Sequence, residues 1–146
     1  MDWNPRVIVV GTDGSEPAQH AAQVAADIAR SSGAALHLVT VVRPPEGWWG
    51  VVGSPPSASS LVDAMSNAQR GALDATVAAV DSGDLNIVTA EELGDPANQL
   101  LAYCHIHDAD LLVIGKRGAG FVERLVVGSV ADRLVHGSEV PVLVVP

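Results

Sequence analysis

The sequence predicts a single α/β domain built on an open, parallel, five-stranded sheet. Five short apolar runs alternate along the chain with four stretches of helical hydrophobic spacing, which is the order of a sheet with helical crossovers. Four of the runs are nearly continuous in apolar residues and rich in valine, as expected of parallel strands covered on both faces. At 146 residues and 48% hydrophobic, the chain is long enough for one core and too short for two.

The five apolar runs supply the strands, and each has ordinary strand length. They are residues 6–10 (RVIVV), 35–42 (ALHLVTVV), 87–90 (IVTA), 111–114 (LLVI) and 140–145 (VPVLVV). The third run is the weakest, and it leads into Glu91 and Glu92. Because acidic residues keep an unpaired strand soluble, the third strand is predicted to lie at an edge of the sheet.

Capping residues and apolar stripes mark four helices between the strands. Ser15 as N-cap with Pro17 in the first turn opens the first helix, and Asp95 with Pro96 opens the third in the same way. Ser129 is predicted to cap the fourth helix. The second helix is predicted from apolar residues at helical spacing, namely Leu61, Met65, Ala68, Ala72, Val77 and Val80.

Charge and composition exclude several classes of protein. Eight basic residues against seventeen acidic ones give a net charge of −9, which predicts a surface that repels nucleic acid and anionic membranes. The apolar runs are too short for a transmembrane helix, and the first residues, MDWNPRVIVVG, lack the pattern of a secretion signal. A single cysteine, Cys104, cannot form an internal disulfide. We therefore expect a cytoplasmic protein that binds neither nucleic acid nor membrane.

Residues 44–60 (PPEGWWGVVGSPPSASS) differ in composition from the rest of the chain. The segment holds four prolines, three glycines and four serines, which predicts a flexible loop longer than a simple connector. Two interpretations stay open, a mobile lid over a ligand crevice and a disordered surface loop. The adjacent Trp48 and Trp49 favour the lid slightly.

Glycines and basic residues suggest an anion site after the first and fourth strands. The first strand runs into the turn GTDGS at 11–15, the fourth runs into GKRGAG at 115–120, and a Gly-Ser pair at 128–129 opens the last helix. Glycines let backbone N–H groups approach an anion, and a helix N-terminus favours negative charge. Three of the eight basic side chains lie in this one loop: Lys116, Arg117 and Arg124. The alternative is ordinary loop chemistry, with turn glycines, solvated charges and a routine N-cap.

The spacing of these glycines is specific enough to suggest a family. Gly115-x2-Gly118-x9-Gly128-Ser129 resembles the G-x2-G-x9-G-(S/T) ATP-binding pattern of universal stress proteins. The resemblance extends over the whole chain, through VVGTDGSEPA, GDPANQLLAY, ADLLVIGKRG and VGSVADRLVHGSEVPVLVV. A four-point motif embedded in the expected β-α order is a far more specific signal than an isolated glycine pair.

The resemblance implies a Rossmann-like sheet of strand order 3-2-1-4-5, of the adenine nucleotide alpha hydrolase type, with an adenine nucleotide at the switch point. It implies that Asp13 bonds the ribose hydroxyls, that the backbone at Val41 recognises the adenine edge, and that Thr12 lines the pocket. The contacts implied around the phosphates are Gly115, Arg117, Gly118, Gly128, Ser129 and Val130. Asp13 suits the sugar end because a carboxylate repels phosphate unless Mg²⁺ bridges them. Asp13 could also serve only the turn that enters the first helix.

The function implied is that of an ATP-binding regulatory protein of the stress response. The final strand, which runs from Val140 to Val145, is expected at a sheet edge with an unpaired apolar face, and a homodimer through it is expected. Two alternatives stay open: a slow ATPase, and a dimeric scaffold that binds no nucleotide. A cyclic nucleotide ligand is a variant of the first interpretation, since an adenine-ribose site does not require a triphosphate.

Other chemically reactive residues are assigned structural roles. His105 and His107 are predicted at the end of a helix, where their rings point apart and no further ligands stand at metal-binding spacing, so no metal site is predicted. No catalytic group is predicted either. His37, within the second strand, is expected to be packed or hydrogen-bonded. Cys104 is expected to be inert on the inner face of the third helix.

Overall fold

A computed structural model describes residues 3–43, 55–80, 83–116 and 129–146, and strands alternate with helices along these stretches. The strands are β1 (Val7–Gly11), β2 (Ala35–Val42), β3 (Ile87–Leu93), β4 (Leu111–Gly115) and β5 (Val142–Val145). The helices are α1 (Glu16–Ser32), α2 (Pro55–Ala79), α3 (Pro96–Ile106) and α4 (Ser129–Gly137).

The strands form one parallel sheet in the order β3-β2-β1-β4-β5. In the register of the central strands, Val9 of β1 lies opposite His37 of β2 on one side and Leu112 of β4 on the other. The predicted fold class and strand order are therefore confirmed, and β3 lies at an edge as its acidic residues predict.

Two apolar layers cover the two faces of the sheet. Helices α1 and α2 pack on one face against a buried cluster that includes Ile8, Leu36 and Leu38. Helices α3 and α4 pack on the other face against a cluster that includes Val39 and Leu112. The inner face of α1 consists of small side chains, which let the helix lie close to the sheet: Ala18, Ala21, Ala22, Ala25, Ala26 and Ala29.

Local capping sets the ends of two helices, as the sequence predicts. The Ser15 side chain accepts a hydrogen bond from Ala18 N–H, and Gly33 ends α1 in a left-handed conformation with φ of 76°. The Asp95 side chain caps α3 by accepting from Asn98 N–H at 3.0 Å. Because these caps fix where each helix begins or ends, they also fix the direction of the loop that joins the helix to the sheet.

Some boundaries differ from the predicted ones. β3 continues to Leu93, because its edge position keeps the side chains of its acidic residues near solvent while its backbone pairs with β2. β5 begins at Val142, after Pro141, which has no N–H to donate although its carbonyl accepts from Leu112 N–H at 3.0 Å. Helix α4 begins at Ser129, and the side chain of Ser129, which the sequence predicts as its cap, lies outside what the structure describes.

Helix α2 begins at Pro55, inside the segment 44–60 that the sequence predicts as a loop. The part of that segment left for a loop is 44–54, which lies outside the described residues. The lid predicted around Trp48 and Trp49 falls in that part of the chain.

Candidate functional site

The carboxyl ends of β1 and β4 lie side by side at the centre of the sheet. Residues 8–10 of β1 pair with residues 111–113 of β4, so that Gly11 and Gly115 end neighbouring strands. The next described helix after β1, α1, packs on one face of the sheet, and the next described helix after β4, α4, packs on the other. Open α/β sheets bind ligands where consecutive connections diverge in this way.

β1 runs into a tight turn that leads into α1. Thr12 N–H donates to Val39 O of β2 at 2.9 Å, and Gly14 follows with a positive φ of 82°. Ser15 N–H donates to Asp13 Oδ1 at 2.9 Å, and Asp13 is half-buried. The local turn role considered for Asp13 is therefore present, and it orients the carboxylate at the end of β1 beside β2.

Thr12 is buried, and its hydroxyl is hydrogen-bonded to a side chain of α2. Thr12 Oγ1 lies 2.7 Å from Thr76 Oγ1, and Gly14 N–H donates to Thr12 Oγ1 at 3.1 Å. Thr76 is fully buried on α2. Thr12 is predicted to line the nucleotide pocket, and its bond to Thr76 is a contact that no sequence motif indicates.

Gln69 of α2 bridges the ends of β2 and β3. Its Nε2 donates to Glu92 O at 2.7 Å and to Thr40 O at 3.4 Å, and the residue is only 4% exposed. Because a buried amide needs hydrogen-bond partners, a glutamine within the apolar stripe of α2 is a sequence signal for such a role. This role of Gln69 is not among those predicted from the sequence.

The structure brings several of the predicted ligand-binding residues to the same end of the sheet. Val41 is half-buried near the end of β2, two residues beyond the partner of Thr12 N–H. Gly115 ends β4, and Val130 in the first turn of α4 packs against the same apolar cluster as Val41. Arg117, Gly118 and Gly128 lie outside the described residues, and Ser129 is described only as the first residue of α4.

A charged cluster lies at the N-terminus of α3. Asp95 Oδ1 accepts from Arg133 Nη1 of α4 at 3.0 Å and also pairs with Arg43, which follows β2. Arg133 Nη2 donates to Asn98 Oδ1 at 3.1 Å. The hydrogen bond from Arg133, then that from Asn98 N–H, lowers the pKa of Asp95 below its usual value. This cluster ties α4 to α3 and to the end of β2.

Three rings meet on the α3 face of the sheet. His37 Nδ1 lies 2.7 Å from Tyr103 Oη, which confirms that His37 is hydrogen-bonded, and the His107 ring stacks on Tyr103 with centroids 4.0 Å apart. Burial raises the pKa of Tyr103, and nearby Glu92 raises it further. The cluster joins β2 to the end of α3.

Within the described stretches, no group of three or more His, Cys, Asp or Glu side chains is arranged to hold a metal ion. Cys104 is buried on α3, as predicted, and burial raises the pKa of its thiol to about 11. No helix in these stretches is both long and apolar enough to cross a bilayer.

Comparisons with known proteins agree with this architecture. The universal stress protein MJ0531 of Methanocaldococcus jannaschii is 30% identical over 145 residues, an alignment that covers 94% of this chain and 80% of that protein. The crystal structure of a universal stress protein in complex with cAMP is 28% identical with a TM-score of 0.67, and the match covers 99% of this chain and 98% of that one. The hypothetical protein MJ0577 has the same fold, with a TM-score of 0.80 at 17% identity over 96% of this chain and 94% of that one.

A family model matches almost the entire sequence. It is the model of the universal stress protein family, and the match spans residues 5–146. The match includes all five strands and the turn that carries Thr12 and Asp13. The chain belongs to the universal stress protein family.

Proposed function

We propose that this protein binds ATP at the carboxyl ends of β1, β2 and β4 and acts as a nucleotide-dependent regulatory protein of the stress response. The observation that carries the proposal is the placement of the Asp13 carboxylate. Ser15 N–H orients it at 2.9 Å, at the switch point of the sheet and beside the end of β2. A half-buried carboxylate held in this way is suited to accept hydrogen bonds from the two hydroxyls of a ribose.

The remaining contacts follow from the order of elements around Asp13. The backbone at Val41, near the end of β2, recognises the adenine edge, and Thr12 forms the wall between the sugar and α2. The phosphates lie toward the end of β4 and the start of α4. The residues proposed there are Gly115, Arg117, Gly118, Gly128, Ser129 and Val130.

Charge supports phosphates at this position. Helix α4 begins at Ser129, and the N-terminus of a helix carries unpaired N–H groups and the positive end of the helix dipole. The stretch of sequence before it contains Lys116, Arg117 and Arg124, in a chain whose net charge is −9. With Asp13 at the sugar, Mg²⁺ is not needed to hold the nucleotide, although it can accompany the phosphates.

Cyclic AMP is the second candidate ligand. A universal stress protein that is 28% identical to this chain has been crystallised with cAMP. That ligand shares adenine with ATP and carries its one phosphate cyclised onto the sugar. Since its 3′ oxygen is esterified, it offers Asp13 a single free ribose hydroxyl, and ATP offers two.

Calorimetric titration of nucleotide-stripped protein tests the proposal. ATP with and without Mg²⁺, AMP and cAMP are titrated into the wild type and into Gly118→Val. We expect ATP to bind with micromolar affinity, about −8 kcal/mol, and Gly118→Val to abolish binding because a branched side chain blocks the backbone approach to the phosphates.

Gly71→Val is the matched control for that experiment. Gly71 lies on an exposed part of α2, and an added side chain there would meet no atom within 4 Å. The control should bind ATP like the wild type. Absence of binding to any adenine nucleotide would contradict the proposed function. Steady phosphate release above the Gly118→Val background would instead support the slow ATPase.

We propose that the protein works as a cytoplasmic homodimer joined through β5. β5 lies at an edge of the sheet, and its residues Val142, Leu143 and Val144 are half-buried in the isolated chain. An unpaired edge that carries apolar side chains favours pairing with an identical edge. Sedimentation at micromolar concentration should give the mass of a dimer, and a monomeric mass would contradict this part of the proposal.

A further inference from the structure

Side chains of helix α2 form hydrogen bonds with the turn after β1 and with the ends of β2 and β3. Four buried polar side chains lie where α2 meets the carboxyl ends of β1, β2 and β3: Thr12, Thr40, Gln69 and Thr76. Burying polar groups is unfavourable unless they are hydrogen-bonded. Because all four residues are hydrogen-bonded in one place, they define the position of α2 against the sheet more closely than apolar packing alone would.

The hydrogen bonds of the two threonines run in one direction. Thr76 Oγ1 donates to Ala72 O of the preceding turn of α2 at 2.8 Å, so its single proton is used there. The proton between the two hydroxyls must then come from Thr12, and Thr12 Oγ1 accepts from Gly14 N–H. The chain of donors runs from Gly14 N–H through Thr12 and Thr76 to Ala72 O.

This direction leaves Thr12 without a proton to donate to a phosphate. Its role is then to hold the turn that follows β1 against α2. The same turn is in close contact with the helix, since a Cβ built on Gly14 would lie 2.8 Å from Ala72 Cα. Asp13 lies between Thr12 and Gly14, so the position of its carboxylate depends on this attachment.

We propose that Thr76 is a positioning residue of the nucleotide site. Its hydroxyl accepts a hydrogen bond from the Thr12 hydroxyl and thereby holds the turn in the conformation that presents Asp13 to a ribose. This inference rests on the proposed function and deepens it, because it assigns part of the site's ribose selectivity to a residue of α2 that lies 64 positions from Thr12 in the sequence.

The test compares ATP with 2′-deoxy-ATP in calorimetric titrations. The wild type should prefer ATP by about tenfold, the size of effect expected when a hydrogen bond to a charged group is lost. Asp13→Asn, the positive control, should reduce this preference. Thr76→Val, which keeps the shape of the side chain and removes the hydroxyl, should reduce the preference to about the same value. Thr76→Ser, which keeps the hydroxyl, should restore it.

The outcomes separate the inference from the proposed function. Wild-type protein that binds no adenine nucleotide would overturn both. A wild type that binds ATP, together with a Thr76→Val variant that loses affinity equally for the two nucleotides or for neither, would overturn the positioning role and leave the proposed function standing. If Thr76→Val does not fold, Thr76→Ala removes the same hydroxyl and is a better helix former. The same ratio of affinities for ATP and 2′-deoxy-ATP is then measured on Thr76→Ala.

Discussion

Tyr103 and His37 join α3 to β2 through a hydrogen bond of 2.7 Å between Tyr103 Oη and His37 Nδ1. His107, which follows the end of α3, stacks on Tyr103, and its ring centroid lies 5.5 Å from that of His37. Burial lowers the pKa of His37 below 6.5, and the nearby His107 lowers it further. The folded protein therefore favours the neutral form of His37.

We predict that acidification destabilises the protein through His37. Above pH 6.5, the pKa of an unperturbed histidine, the residue is neutral in both states and contributes nothing. As the pH falls below that value, the unfolded chain takes up the proton first, so the free energy of unfolding decreases until the lowered pKa of the folded state is reached. Urea unfolding between about pH 7.5 and about pH 5.5 measures this loss.

His37→Gln removes the titrating group and should make the stability less dependent on pH in this window. His107→Gln removes the second cause of the lowered pKa, so it should reduce the dependence in part. An equally steep decline in His37→Gln and in the wild type would contradict the assignment to His37.

Asp95 is predicted to contribute to stability more as a helix cap than as an ion-pair partner. Asp95→Asn keeps an oxygen that can accept from Asn98 N–H but loses the charge beside Arg133 and Arg43, and exposed ion pairs contribute less than about 1 kcal/mol. Asp95→Ala also loses the cap, which should cost about 1 kcal/mol more. Urea unfolding of both variants tests this order.

Salt separates the two contributions of Asp95. The difference between wild type and Asp95→Asn should shrink at ~1 M NaCl, where charges are screened within about 3 Å. The difference between Asp95→Asn and Asp95→Ala should persist, because the capping hydrogen bond is short-range. Equal stabilities of the two variants would show that the cap contributes nothing.

The features that could be predicted from the sequence are those set by local chemistry or by the order of elements. Ser15 and Asp95 cap their helices as predicted because a cap depends on residues within one turn. The strand order follows from the β-α alternation together with the family resemblance. The edge position of β3 follows from its charge.

Contacts that depend on how distant elements pack could not be predicted in this way. The bond from Thr12 to Thr76 spans 64 positions, and that from Arg133 to Asp95 spans 38. Such pairs depend on the rotation and depth of a helix against the sheet, which hydrophobic periodicity does not specify. The phosphate contacts proposed at Arg117 and Gly118 lie outside the described residues and stay predictions.

Cys104 is predicted to be unreactive in the folded protein. Its side chain is buried on the inner face of α3, and burial raises the pKa of its thiol to about 11. At pH 8 only about one thiol in a thousand is then in the reactive thiolate form. Ellman's reagent should label one thiol per chain in denaturant and almost none in buffer. Rapid labelling of the native protein would contradict the burial of Cys104.

Gly14 and Gly33 share a conformation and differ in their surroundings, so together they measure how closely α2 approaches the turn after β1. Both have a positive φ, of 82° and 76°. A Cβ on Gly33 would meet no atom within 4 Å, whereas one on Gly14 would lie 2.8 Å from the backbone Cα of Ala72. Gly33→Ala therefore adds only the strain of a left-handed alanine, about 1 kcal/mol.

Gly14→Ala adds the same strain and a collision with α2 that the helix backbone cannot relieve by a side-chain rotation. Overpacking of this kind costs about 1–3 kcal/mol, so the free energy of unfolding in urea should fall further in Gly14→Ala than in Gly33→Ala by that amount. Because the collision moves the turn that holds Asp13, Gly14→Ala should also weaken ATP binding, and Gly33→Ala should not. Equal stability losses in the two variants would mean that α2 lies farther from Gly14 than the structure places it.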